Sequence, residues 1–136
     1  MTKAISAIAI ALLSTAACQH DVVYESNSSQ TEVCIQGEGT ANIVYPDRPI
    51  QIVAQTRCSS TCIDNVVSRC NSFLNGNNIH VDTLFAFDLT SDVCTLECGR
   101  IETSCSLPTL GDGTYTVHHG DVQTTLKVGE PAPACL

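Results

Sequence analysis

The chain has no tryptophan, one methionine and only six aromatic residues, Tyr24, Tyr45, Phe73, Phe85, Phe87 and Tyr115, among 136. Large rings are the heaviest contributors to core burial, so this protein must find part of its stability elsewhere. Basic residues are scarce too: 6 Lys and Arg face 14 Asp and Glu, giving a formal net charge of −8 with no basic cluster. That balance excludes the electrostatic footprint of a nucleic-acid binder, and acidity this diffuse serves solubility. No long hydrophobic run exists either. The longest, residues 4–13, would rise only about 15 Å as a helix, whereas a bilayer span needs roughly 20 residues. Chemistry-bearing motifs are missing as well: no serine sits in a nucleophile elbow and no glycine-rich loop opens a helix. His118 and His119 adjoin Asp121, and His80 lies near Asp82. Adjacent strand residues point to opposite faces, so these histidines do not converge on one ion and read as solvated turn residues. The expectation is a protein that is not an enzyme and carries no cofactor.

What the chain does have is cysteine, 9 residues of it. Lys3, the apolar run and the small residues Thr15, Ala16 and Ala17 ahead of Cys18 have the order of a secretory leader spanning 1–17. Ala16, Ala17 and Cys18 resemble the lipobox of bacterial lipoproteins. That resemblance implies diacylglyceryl and palmitate-type acylation at Cys18, an anchor of several chains far more durable than a single one. Gln19, in place of Asp, implies the outer membrane. The alternative is cleavage by ordinary signal peptidase and free secretion.

Eight cysteines remain beyond the leader: Cys34, Cys58, Cys62, Cys70, Cys94, Cys98, Cys105 and Cys135. An even count behind a leader predicts a disulfide framework, although eight cysteines allow about 105 connectivities and spacing does not choose among them. Four bridges would contribute on the order of 10 kcal/mol. Cys58 with Cys62 and Cys94 with Cys98 also have the spacing of zinc ligands. Zinc needs reduced thiolates, which an oxidising compartment removes, so no metal is expected.

Along the chain, 18–31 is polar and reads as the lipidated cysteine plus a flexible tether with a root-mean-square span of roughly 20 Å. The domain proper is 32–136. Residues 33–36 and 40–45 predict one strand broken at Gly37 and Gly39, and 50–57 a half-buried strand. Residues 59–65 predict a corner in which Ser59 or Ser60 caps one helical turn through Cys62. Strands at 66–74 and 79–89 flank the turn residues 75–78. Residues 90–108 predict a long stapled loop with one helical turn around Cys94 and Cys98. Residues 113–128 predict a hairpin turning at His119–Gly120 or Gly120–Asp121.

Leu110, Asp112, Gly113, Thr114, Tyr115, Thr116 and Val117, followed by a glycine turn, resemble the closing hairpin of immunoglobulin-like domains on bacterial surfaces. The resemblance implies a tyrosine-corner hydrogen bond from Tyr115. With the cysteines, the chain looks like the Cys-rich lipoproteins of predatory or social Gram-negative bacteria. This implies a location and a fold: all-β, a small disulfide-stapled antiparallel β-sandwich.

If 90–112 hides no strand, alternation of strand direction gathers Cys34, Cys58, Cys62, Cys94, Cys98, Cys105 and Cys135 at the anchored pole, with Cys70 part-way down a strand. The turns bearing Asp47, Arg48, Asn75, Asn77, His119 and Asp121 then form a distal tip, where a protein or glycan partner is expected. The functional expectation is a membrane-anchored binding or structural module of the cell envelope. Its alternative is a secreted Cys-rich inhibitor or effector.

Overall fold

The computed structural model describes residues 20–58, 62–90 and 98–136. The leader, Cys18, the cap at Ser59 or Ser60 and the helical turn expected at Cys94 lie outside the described residues. Among the described residues there is no helix, and so none long and apolar enough to cross a membrane. The described residues form eight strands: β1 (Val22–Glu25), β2 (Thr31–Gln36), β3 (Ile50–Thr56), β4 (Ile63–Asn75), β5 (Asn78–Leu89), β6 (Glu102–Leu107), β7 (Thr114–His119) and β8 (Val122–Lys127).

They make two sheets. In the smaller, β3 lies between β2 and β6. In the larger, β5 carries β4 along one edge, while β1 and then β7 with β8 share the other edge at different heights. Period-two alternation drives the two together. Ile50, Ile52, Ala54 and Thr56 of β3 all turn inward and are buried, as are Val33 and Ile35 of β2. They meet Ile79, Val81, Phe85 and Phe87 of β5 with Val117 and Leu126 in a single core. Only two of the rings, Phe85 and Phe87, are fully buried, so cross-links carry the rest of the load.

Three bridges are defined among the described residues: Cys34–Cys135, Cys58–Cys98 and Cys70–Cys105. Cys62 is oxidised in a disulfide as well. Disulfides of this number belong to an extracytoplasmic, oxidising compartment. Cys70 of β4 and Cys105 of β6 join the neighbouring edges of the two sheets, where Ser72 Oγ also donates to the Ser106 carbonyl at 3.2 Å. Cys135 ties down the tail, whose last residue exchanges two backbone bonds with Val33 at 3.0 and 2.9 Å.

Four expectations are corrected. Within 18–31, expected as a flexible tether, Val22–Glu25 pairs with β5 as β1, and His20 and Asp21 both meet the Asp88 carboxylate. The second half of the broken strand at 40–45 is not a strand. Asn42 takes a left-handed φ of 52°, Gly37 N–H donates to its side chain, and Ile43 makes only isolated bridges to Glu38 and Pro131. The loop at 90–108 contains β6. That extra strand reverses every later direction, so β7 runs parallel to β5, through Asn78↔Thr116 to His80↔His118, and the sheet is not wholly antiparallel.

The fourth correction is the pole. Cys58, Cys98 and Cys62 lie near the end where β3 and β5 finish and β4 begins. Cys34 and Cys105 instead sit mid-strand, opposite Val53 and Ile52, with Cys135 and Cys70 alongside them. Cys94 lies outside the described residues.

Candidate functional site

The residues expected at a distal tip do not come together. Asp47 and Arg48 lie in the loop before β3, while Asn75 ends β4 and Asn77 lies with Gly76 in the two-residue turn that follows, at the same end of the molecule. The β7–β8 turn, with Gly120 and Asp121 between His119 and Val122, points the other way because β7 is parallel to β5. Several of these side chains are occupied within the fold. Arg48 pairs with Glu38, whose hydrogen bond raises the guanidinium pKa further. Asn77 Nδ2 donates to the Thr114 carbonyl at 3.2 Å. Asp121 accepts from the Ser28 hydroxyl, which lowers its carboxyl below the ordinary value.

His119 is not a solvated turn residue but a fully buried one. Its Nε2 meets Thr31 Oγ1 at 2.9 Å and its Nδ1 the Val81 carbonyl at 3.2 Å. Desolvation holds its pKa below the ordinary histidine value, against the opposing pull of the Val81 carbonyl, Asp82 and Asp121. The neighbour His118 points outward, as alternation requires.

The outward face of the larger sheet holds an open cleft of about 300 Å³, lined by Glu25, Ser26, Arg69, Asn71, Asp82, Thr83 and Leu84. Its geometry follows from register. Asn71 stands opposite Asp82 and Arg69 opposite Leu84, while Leu84 faces Glu25 on its other side. Glu25, Arg69, Asn71 and Asp82 are exposed, and none of their side chains has a hydrogen bond or ion pair among the described residues. An arginine and two carboxylates on one face would normally close on each other. Here they do not, and donors and acceptors stay free around a space of ligand size.

Two residues further along the same face, three rings cross three strands. Phe73 stacks on His80 and His80 on His118, each with centroids 4.9 Å apart. That spacing equals the separation of neighbouring strands. The rings therefore stand on edge and offer their rims to solvent, with His118 Nε2 held by Asn78 Oδ1 at 3.0 Å.

Among the described residues one cluster has metal-ligand proximity, Glu32 with Cys34 and Cys135. Both sulfurs are spent in a disulfide, so it cannot supply thiolates.

Comparison with family models, with curated proteins and with solved structures gives no match to this chain. The site is therefore read from its own chemistry. Glu25 and Asp82 accept, Arg69 donates, and Asn71 and Ser26 do both. Hydroxyl groups, each donor and acceptor at once, suit such a mixed lining. Sequence reasoning missed these residues, though the turn at 75–78 carried the signal: a two-residue turn fixes the register that sets Asn71 opposite Asp82 and Phe73 opposite His80. Glu25 gave no signal, because its strand is only four residues long and stands beside a polar, serine-rich stretch.

Proposed function

We propose that this protein is a lipid-anchored, non-catalytic binding module of the cell envelope, with an immunoglobulin-like domain whose cleft takes a neutral, hydroxyl-rich glycan. The observation that carries the reading is the set of Glu25, Arg69, Asn71 and Asp82, unpaired on one rigid sheet face. The paired strands fix the backbone of the site in advance, so the ordering cost on binding falls on the side chains alone. Its volume of about 300 Å³ suits one or two sugar rings. Two acidic groups against one basic group in the cleft disfavour phosphorylated ligands. The likeness to immunoglobulin-like domains rests on the shared core of two sheets and on Tyr115, whose hydroxyl donates to the Gly111 carbonyl at 3.0 Å.

The full-length protein probed on an array of neutral oligosaccharides tests this. Binding is expected, with at least about tenfold weakening in Asp82→Asn and Arg69→Gln, a loss of one or two charge-assisted hydrogen bonds. An array with no bound glycan, or binding unchanged in both variants, overturns it.

A further inference from the structure

Among the described residues six large hydrophobics are exposed, and strand direction sorts them into two groups. Tyr45, Phe73 and Leu74 lie toward the end bearing the turn between β4 and β5. Val23 (54% exposed), Val66 (46%) and Leu89 (52%) lie at the opposite end, where β1 and β4 begin and β5 finishes. The second group is continuous with a packed apolar row. Val23 stands opposite Ala86, and Ala86 opposite Val67, all on the outward face, with Ala86 only 4% exposed between its neighbours.

Chain length fixes what this end must face. β1 begins at Val22, and before it the Asp21 N–H donates to Asp88 Oδ1 at 3.3 Å, while His20 Nδ1 lies 3.4 Å from the same oxygen. Asn65 Nδ2 also donates to Asp88, at 2.7 Å, and this bond leads the effects lowering its carboxyl pKa. The fold thus holds the chain from His20 onward, leaving Gln19 as the single residue between it and Cys18. Two Cα–Cα steps reach at most about 7 Å.

We infer that the end bearing Val23, Val66 and Leu89 is a bilayer-contacting edge, seated directly on the lipid surface rather than suspended above it. The inference rests on acylation of Cys18. A chain anchored by acyl groups at that residue cannot place its first sheet-bound residues more than about 7 Å from the anchor. Amphipathic surfaces settle with their apolar groups some 5–10 Å into the boundary between headgroups and acyl chains. Leu89 and Val66 lie nearest that depth, Val23 follows about 10 Å beyond His20 along its strand, and Tyr45 and Leu74 lie toward the opposite end of the molecule.

The absence of native tryptophan makes the test direct. Single Val23→Trp, Val66→Trp and Leu89→Trp variants, with Tyr45→Trp and Leu74→Trp as the far end, are expressed as full chains. Each is confirmed by intact mass to carry the lipid and oxidised cysteines, then reconstituted in phosphatidylcholine vesicles with brominated acyl chains. The edge variants are expected to lose most of their emission and shift to the blue, and the far-end variants to lose none. Three edge positions keep the test open if one substitution prevents folding. Lipidated protein whose edge tryptophans are unquenched overturns the inference while leaving the anchor intact. Quenching at both ends, a domain lying flat, overturns it too. A mature chain without lipid on Cys18 overturns the anchor and the seating together.

Discussion

His119 Nε2 lies 2.9 Å from Thr31 Oγ1, joining the end of β7 to the start of β2 through the middle of the core. The neutral imidazole donates from Nδ1 to the Val81 carbonyl and accepts the Thr31 hydroxyl proton at Nε2. Thr31 Oγ1 also lies 2.7 Å from the Asn27 carbonyl, the alternative acceptor for its one proton.

The buried imidazole makes stability pH-dependent. Because desolvation lowers its folded pKa below the ordinary 6.5, the unfolded chain binds more protons in the window below that value. Stability is thus full above pH 6.5 and falls as pH drops through the folded pKa. Asp88 and Asp121, whose carboxyls are lowered by Asn65 and Ser28, add a further loss only below the ordinary carboxylate range. Urea midpoints measured from pH 7.5 to pH 5 are expected to decline, and His119→Gln to flatten that slope. A midpoint constant across this range in the native protein contradicts the account.

Removing bridges tests which constraint matters most. The Cys34–Cys135 bridge closes 101 residues and Cys70–Cys105 closes 35. Chain entropy makes the Cys34→Ala/Cys135→Ala pair about 1 kcal/mol more costly than Cys70→Ala/Cys105→Ala, on losses of about 4 to 5 kcal/mol. Denaturation of the two double variants under non-reducing conditions gives the order.

Two glycines with the same backbone need separate fingerprints. Gly76 has φ +59° with open space around its missing side chain. Gly120 has φ +57°, but the Ser26 carbonyl occupies the position a Cβ would take. Gly76→Ala is expected to cost about 1 kcal/mol, the strain of the left-handed conformation alone. Gly120→Ala should cost about 2 kcal/mol or more, and amide hydrogen exchange should accelerate in 22–25, because the loop above the turn is displaced.

Tyr115→Phe deletes the hydroxyl bond to Gly111 with little change in shape. A loss of about 1 kcal/mol is expected, seen as a lower thermal midpoint with native disulfides intact.

The two hairpins were legible because each pairs a positive-φ glycine with strands of clean alternation, Gly76 between β4 and β5 and Gly120 between β7 and β8. β3 was legible for its buried Ile50, Ile52 and Ala54. β6 was not: Glu102, Ser104 and Ser106 face out, and its inward Thr103 and Cys105 give no hydrophobic period. β1 failed for a similar reason, as four residues beside a serine-rich turn carry too little pattern to outweigh composition. Missing β6 then reversed β7, and with it the expected place of His119 and Asp121. Half of the cleft was legible in the hairpin register, and the half supplied by Glu25 and Ser26 depended on long-range pairing that no local signal records.

None of the three defined bridges joins cysteines that are neighbours in sequence, and Cys34 pairs with the penultimate residue of the chain. Of the cysteines in the three defined bridges, a polypeptide threaded across a membrane from its amino end would present Cys34 first and Cys135 last. An oxidase working in order of arrival would join Cys34 to Cys58. Reaching the native set therefore requires either oxidation delayed until translocation is complete or thiol exchange through mixed disulfides. Production of this protein should depend on a disulfide isomerase in the export compartment, and its yield should fall in a host that has the oxidase alone.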